Sequence, residues 1–356
     1  MQSVVYTIGS DPNDRVDVFS KKHNEELNIK SEDFPLVYNY DTQDGYVFAV
    51  VGGASSFYDI YYKKEEDLLS TISWKPLAKK SDQIKRIRVD KENRLIYLTS
   101  KNNSNNRLCR TPMSNINFDT SEILVNEKRS QIITKFQNTK DGIYYTTQKN
   151  GIEQRMYRLE NDKEIEVLLP REVSQISIQS QSVDQNFLRV STWGSLSPGI
   201  HYLYDFDSKS FRIEPIIPVV KHPDFDNLEI KHLEIPSHDG VMVPISIIHK
   251  KGLVKDGNTP TLFYGYGSYG DADSVNFNPN FLTWVTEGNG ILVYSYVRGG
   301  GQKGEDWHKA GLKTTKPNTW KDMIATTEYI IREGYTNLEK QLRGDQALEV
   351  LWQTGL

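Results

Sequence analysis

The chain has 356 residues, long for a single hydrophobic core, so two domains are the starting expectation. Its 43 Lys and Arg residues against 47 Asp and Glu leave a formal charge of -4 without a basic cluster, which argues against a nucleic-acid partner. The one cysteine, Cys109, cannot form an intrachain disulfide or a zinc site, and reads as a structural thiol in a reducing compartment. The opening MQSVVYTIGSDPND lacks a basic flank and a long apolar segment, and no later stretch could span a bilayer. A cytoplasmic protein with no membrane partner is expected. The first residues already read as the interior of a strand-turn unit, so the natural N-terminus is expected upstream.

From Val4 to about Val220 the sequence is a succession of short strand-like runs broken by polar turns. Tyr46–Val51, Phe57–Tyr62, Ile84–Val89, Leu95–Thr99, Ile143–Thr147, Phe187–Thr192 and Ile200–Tyr204 are examples. A sandwich or a propeller could produce this pattern. Asp44-Gly45, Asp90-Lys91-Glu92-Asn93 and Asp141-Gly142 favour the propeller: each is a turn signal before a strand, and they recur at roughly 40 to 50 residues, one four-stranded blade. Four blades are clear, with signs of a fifth. Lys221–Asn227, with Pro223 and two aspartates, reads as the linker between residues 1–220 and 221–356.

Beyond the linker, Leu262–Gly265 and Ile291–Val297 are uncharged and β-rich, the pattern of strands covered on both faces. Each is followed by glycines: Gly265, Gly267 and Gly270, then Gly299, Gly300, Gly301 and Gly304. Glycine lets the backbone turn sharply and approach a ligand, and ligands bind at the carboxyl ends of strands in α/β sheets. These turns therefore mark the expected site. No phosphate-binding loop is present, and Gly265-x-Gly267-x-x-Gly270 leads into Asp271-Ala272-Asp273-Ser274 rather than an apolar helix, against a dinucleotide site. Trp320–Arg332 has helical spacing, with Asn318 or Thr319 as the expected cap and Gly334 past its end. No His/Cys/Asp/Glu cluster has metal spacing, so neither metal nor other cofactor is expected.

Four motifs in order carry a resemblance: Tyr264-Gly265-Tyr266-Gly267-Ser268-Tyr269-Gly270, Val297-Arg298-Gly299-Gly300-Gly301, Gly304-x-x-Trp307-His308-x-x-Gly311 and Glu333-Gly334-Tyr335-Thr336. Together they resemble the first part of the catalytic domain in the prolyl oligopeptidase family of serine peptidases. The Ser268-Tyr269-Gly270 variant is similar to the oligopeptidase B branch. Ser195–Ile200 resembles the family's last blade, and His238-Asp239-Gly240 with Ile248–Gly252 resembles the strands that reopen the hydrolase domain. The resemblance implies a partial β-propeller of the seven-bladed type, its amino-terminal blades absent, followed by the N-terminal part of an α/β-hydrolase domain. It also implies endopeptidase cleavage of short peptides by a serine nucleophile.

By the same resemblance, Tyr266 occupies the position whose hydroxyl helps hold the oxyanion, a role open to a phenol because it donates at neutral pH. Tyr269 corresponds to an aromatic position near the pocket for the residue before the cleaved bond. Arg298 reads as a brace for its glycine loop. His308, next to Trp307, reads as a structural hydrogen-bonding residue, and His232, His238 and His249 as strand or turn residues.

A serine hydrolase of this fold needs a Gly-x-Ser-x-Gly elbow followed by an acid and a histidine. No Gly-x-Ser-x-Gly occurs in the sequence. Where the family places it, residues 338–352 read as neither an apolar strand nor an elbow. Codons for Gly344–Val350, read from the third base of the glycine codon, permit Gly-Ser-Ser-Ala-Gly-Gly, so a frameshift near Arg343 is one expectation. Three outcomes stand: a chain without peptidase activity alone, a non-catalytic peptide- or protein-binding module, or an enzyme completed by a separately encoded C-terminal fragment. A sheet cut after its first strands is also expected to lower the solubility of the part after Asn227.

Overall fold

The computed structural model describes residues 4–8, 15–20, 36–38, 45–53, 55–68, 70, 72–215, 223–272 and 277–343. A two-stranded ladder of β1 (Val4–Ile8) and β2 (Arg15–Ser20) comes first. Four four-stranded sheets follow, each with its strands side by side in chain order. The first contains β3 (Leu36–Tyr38), β4 (Tyr46–Val51), β5 (Asp59–Lys64) and β6 (Lys75–Ala78). The second contains β7 (Ile84–Val89), β8 (Arg94–Thr99), β9 (Arg107–Pro112) and β10 (Glu122–Val125). The third is built from β11 (Ile132–Thr139), β12 (Gly142–Lys149), β13 (Glu153–Glu160) and β14 (Lys163–Val167). The fourth has β15 (Gln175–Gln179), β16 (Phe187–Trp193), β17 (Ile200–Asp205) and β18 (Ser210–Ile213). Repeated four-stranded meanders of this length are propeller blades.

The expected turns form for visible reasons. At Asp90 the carboxylate accepts from the amides of Glu92 at 3.1 Å and Arg94 at 2.9 Å, while Asn93 takes a left-handed φ of 57°. This reverses the chain from β7 into β8. Cys109 lies in the core between the first two four-stranded sheets, with Ile87, Leu95 and Tyr97, and burial pushes its thiol pKa up.

Contacts divide the chain into two compact units. One is Met1–Glu127 with Gln137–Ile143 and Ser180–Gln185; the other is Lys128–Phe136, Tyr144–Gln179 and Asn186–Leu356. Residues 216–222, where the expected domain boundary falls, are outside the described set, but Pro223–Asn227 forms a 3-10 turn rather than a free linker. Its Phe225 is 6% exposed and packs in a core with Leu282 and Leu292.

Within the second unit lies a five-stranded mixed sheet in the order β19 (Leu228–Pro236), β20 (Met242–Lys250), β22 (Ile291–Ser295), β21 (Thr261–Tyr264), β23 (Gln341–Arg343). The first two joints are antiparallel and the last two parallel. Strand β22 is buried along its whole length, as its uncharged sequence requires. Residues 338–352 read as no apolar strand, yet the short polar β23 forms there: backbone pairing of Gln341 and Leu342 with Thr261 and Leu262 overrides their weak β pattern. The postulated elbow at Gly344–Val350 lies outside the described residues.

Helix α1 (Pro279–Glu287), not anticipated from the sequence, is started by the Asn278 carboxamide, which accepts from Asn280 at 3.1 Å and Phe281 at 3.3 Å. Helix α2 (Glu305–Lys309) is one short turn. Helix α3 (Pro317–Arg332) begins three residues earlier than expected, because Pro317 at its first position presets the helical φ. Its N-cap is Lys316, not Asn318 or Thr319. Those two side chains instead donate to the carbonyls of Ala310 and Arg298. The buried face of α3 runs through Thr319, Asp322, Met323, Thr326 and Ile330, and Ile324 points outward. Thr326 can be buried because its hydroxyl donates to the Asp322 carbonyl at 2.9 Å.

Candidate functional site

Two glycine loops leave the carboxyl ends of the parallel neighbours β21 and β22 and interlock. The Gly270 amide donates to the Gly299 carbonyl at 3.1 Å, and the Gly301 amide to the Asp271 carbonyl at 2.6 Å. The approach leaves no room for side chains: a Cβ on Gly301 would lie 2.2 Å from the Gly270 oxygen, and one on Gly299 2.2 Å from the Gly267 oxygen. Trp307 closes the back of the turn, its indole N–H donating to the carbonyls of Tyr296 and Val297 at 3.1 Å each.

Arg298 fixes this assembly from inside. It is 3% exposed, and its guanidinium contacts both Asp322 (Nη2 to Oδ1, 2.6 Å; Nε to Oδ2, 2.9 Å) and Asp239 (Nη1 to Oδ2, 2.6 Å). Its amide donates to Asp322 Oδ2 at 2.9 Å, and the Ser237 hydroxyl to Asp322 Oδ1 at 2.6 Å. Burial works against the charge, but hydrogen bonds and charge from Asp322 and Asp239 outweigh it and hold Arg298 above the usual arginine pKa. The Arg298 hydrogen bond holds the Asp239 carboxyl down at about 2. With all these partners, Arg298 braces the loop, as its place in the sequence suggests.

On this frame stand the two tyrosines. Tyr266 is half-buried in the turn after β21, and Tyr269 is at the loop's apex, 57% exposed. Tyr269 has φ 58°, a left-handed conformation that is costly for a bulky side chain and is kept only where surrounding structure enforces it. Lys316 supplies part of that enforcement, donating to the Gly267 carbonyl and, at 3.2 Å, to the Ser268 hydroxyl. His308 is behind the same turn, 5% exposed, with Nδ1 3.3 Å from the buried Glu305 carboxylate and its ring against Gly270.

Of His232, His238 and His249, the first two do meet a serine, though no sequence motif links them, and elsewhere His201 Nδ1 is 2.7 Å from Ser191 Oγ within the fourth blade. His232 Nδ1 is 2.8 Å from Ser246 Oγ and His238 Nδ1 is 3.2 Å from Ser237 Oγ. Ser246 is fully buried between His232 and the Tyr296 hydroxyl, and Ser237 is committed to Asp322, so neither is presented to a substrate. Desolvation lowers the His232 pKa. His249 is 2% exposed on β20, with Nδ1 on its neighbour's carbonyl at 2.8 Å.

The architecture has known counterparts. Residues 20–214 match the family model of the prolyl oligopeptidase N-terminal beta-propeller domain, more than half of the chain. The chain belongs to the prolyl oligopeptidase family. Residues 275–342 match a second model, that of the prolyl oligopeptidase family. A prolyl endopeptidase of Elizabethkingia meningoseptica is 28% identical over 326 residues, 90% of this chain and 45% of the relative. A solved prolyl endopeptidase aligns over 96% of the chain and 48% of its own length, with TM-score 0.81 and 21% identity. Oligopeptidase B from Trypanosoma brucei, with covalently bound antipain, aligns over 96% of the chain and 49% of its own, at TM-score 0.77 and 21% identity. The chain thus spans about half the length of the relatives it matches. Its fold is a partial β-propeller followed by the first part of an α/β-hydrolase domain, as the motifs imply.

Sequence reasoning missed three side chains that donate to carbonyls of the first glycine loop: Lys316 to Gly267, Gln302 to Asp271 and Gln148 to Ala272. For the last, only the hairpin that carries it was legible, not the carbonyl it reaches. Gln148 precedes Asn150-Gly151, a dipeptide that marks a tight hairpin turn.

Proposed function

We propose that this chain forms the substrate-facing rim and chamber wall of a serine oligopeptidase, and binds short peptides across the loop that carries Tyr266 and Tyr269. The observation that carries the reading is Tyr269: an exposed aromatic side chain, in a left-handed backbone, on a loop zipped to its neighbour at the carboxyl end of a parallel strand pair. Strain of that kind persists only where the surrounding structure enforces it, and it clusters at active sites and ligand clamps. In this reading Tyr266 donates its phenolic O–H to the oxyanion, and Tyr269 stacks on the residue before the cleaved bond.

Hydrolysis needs a nucleophile, a base and an acid beyond these two residues. The sequence holds no Gly-x-Ser-x-Gly, Ser268 is tied to Lys316, and His308 to Glu305, so the chain alone binds without turning over. A separately encoded polypeptide bearing the elbow, acid and histidine would complete the enzyme. Residues 1–220 would act as the propeller domain and 221–356 as the hydrolase part.

Calorimetric titration with short proline-containing and arginine-containing peptides tests the binding claim. Saturable heat that is lost in Tyr269→Ala supports it; equal heat from the variant refutes it.

A second reading has its own observation. A cavity of about 790 Å³ within the second unit is lined by apolar Val167, Leu169, Leu196 and Ile230 and by charged or polar residues that include Arg171 and His232. This favours a non-catalytic peptide- or protein-binding role centred away from the rim. Binding that survives Tyr269→Ala and is lost in Leu196→Asp would select it.

A further inference from the structure

The hairpin between β12 and β13 is seated on the rim. Its turn, Lys149-Asn150-Gly151-Ile152, is closed by the Ile152 amide on the Lys149 carbonyl at 3.0 Å, with positive φ at both Asn150 (55°) and Gly151 (73°). That is the type I′ geometry, which matches the twist of the flanking strands and projects the turn rigidly. Gly151 lies against the loop after β22 so closely that a Cβ there would meet Gln302 Cγ at 2.8 Å and Tyr296 Cδ1 at 3.0 Å. Ile152 packs in the same apolar cluster as Tyr296 and Leu292.

From the end of this hairpin, Gln148, 2% exposed, donates its amide Nε2 to the Ala272 carbonyl at 2.9 Å. The preceding carbonyl, Asp271, accepts from Gln302 Nε2 at 3.2 Å and from the Gly301 amide at 2.6 Å. Successive carbonyls just after Tyr269 and Gly270 are thus held by one glutamine from the blade and one from the hydrolase part. A buried carboxamide is costly without partners, so this contact has a preferred geometry rather than a loose one.

We propose that Gln148 is a positioning residue for the peptide rim: through Ala272 it couples the third blade to the backbone that holds Tyr269 in its left-handed conformation. The proposal rests on the reading above only for its consequence, peptide binding; the coupling itself is a property of the fold. Loss of the donor frees the segment from Tyr269 to Ala272 to relax toward an ordinary φ. The blade therefore contributes to the pocket without touching the peptide.

Amide hydrogen exchange on the full 356-residue chain tests it, in Gln148→Met (volume kept, donor lost) and Gln148→Glu (shape kept, donor replaced by a repelled carboxylate). Both variants should raise exchange at the Gly270 and Asp271 amides roughly fivefold, the loss of about one net hydrogen bond. Gln154→Met, which removes a glutamine from the neighbouring strand, should leave those amides unchanged. Exchange at the wild-type rate in both Gln148 variants overturns the proposal, as does an equal rise in Gln154→Met. If the Gln148 variants do not fold, wild-type exchange in rising urea decides. The Gly270 and Asp271 amides should open with the same urea dependence as the Ile152 amide, and independent opening contradicts the coupling. Raised exchange without any peptide binding would leave the coupling standing and sink only the peptide reading.

Discussion

Arg298 and Asp322 form a side-on ion pair in the interior of the hydrolase part, Nε to Oδ2 at 2.9 Å and Nη2 to Oδ1 at 2.6 Å, with the Asp322 side chain 0% exposed. The pair joins the β22 loop to α3, and through Asp239 it reaches the turn after β19. Asp322→Ala would leave a buried guanidinium with the partly exposed Asp239 as its remaining carboxylate and a long hydrogen bond to Ser237. The expected cost is about 3–5 kcal/mol, read as a lower urea midpoint for the second unit. Asp322→Asn, which keeps an acceptor, should cost clearly less. Equal, small effects from both would show that the pair does not brace the loop.

Acid should weaken the same node. Hydrogen bonding to Arg298 depresses the folded-state pKa of Asp239 to about 2, below the ~3.9 of an unfolded aspartate. A depressed carboxyl stabilises the fold above the unfolded value and loses that contribution as pH falls through the folded one. Stability should therefore decline between about pH 4 and pH 2, and the decline should be shallower in Asp239→Asn. Because Asp239 is 36% exposed, solvent screening keeps the effect modest. Denaturation midpoints at pH 5 and pH 3 for the two proteins give the answer.

The interlocked loops make a steric prediction. A Cβ at Gly301 would lie 2.2 Å from a backbone oxygen, where no side chain can swing away. Gly301→Ala should cost about 3 kcal/mol and loosen both loops. Gly257→Ala, with φ +77° but open space around it, should cost only about 1 kcal/mol. Thermal melts of the two variants separate overlap from backbone strain.

Much of this was legible in the chain. The Asp90 and Asp141 turns located blades because their chemistry is local, and the strands Tyr46–Val51 and Ile84–Val89 match the structure to the residue. Strand β23 and the polar buried face of α3 were not legible, because their stability comes from partners distant in sequence: Thr261 and Leu262 for the first, Arg298 and Ser295 for the second. At the site, the glycines marked the two loops that interlock after β21 and β22. The brace around Arg298 needed Asp239, 59 residues away, and the Gln148 contact needed Ala272, 124 residues away, to be brought together.

Strain at Tyr269 separates stability from function. Tyr269→Gly relieves an αL penalty of about 1–2 kcal/mol while adding about 0.5–1 kcal/mol of backbone entropy cost. The melting midpoint should stay level or rise slightly, while peptide affinity falls at least tenfold. A clear loss of stability would mean that the ring packs rather than presents itself.

The most direct test of the central claim is to incubate the purified 356-residue chain with fluorogenic prolyl and arginyl peptides, following anisotropy and fluorescence release in the same cell. The account predicts saturable anisotropy, sensitive to Tyr269→Ala, with no release above buffer. Release that co-purifies with the chain would contradict it by revealing a nucleophile the sequence does not display, and flat anisotropy would remove the peptide rim itself.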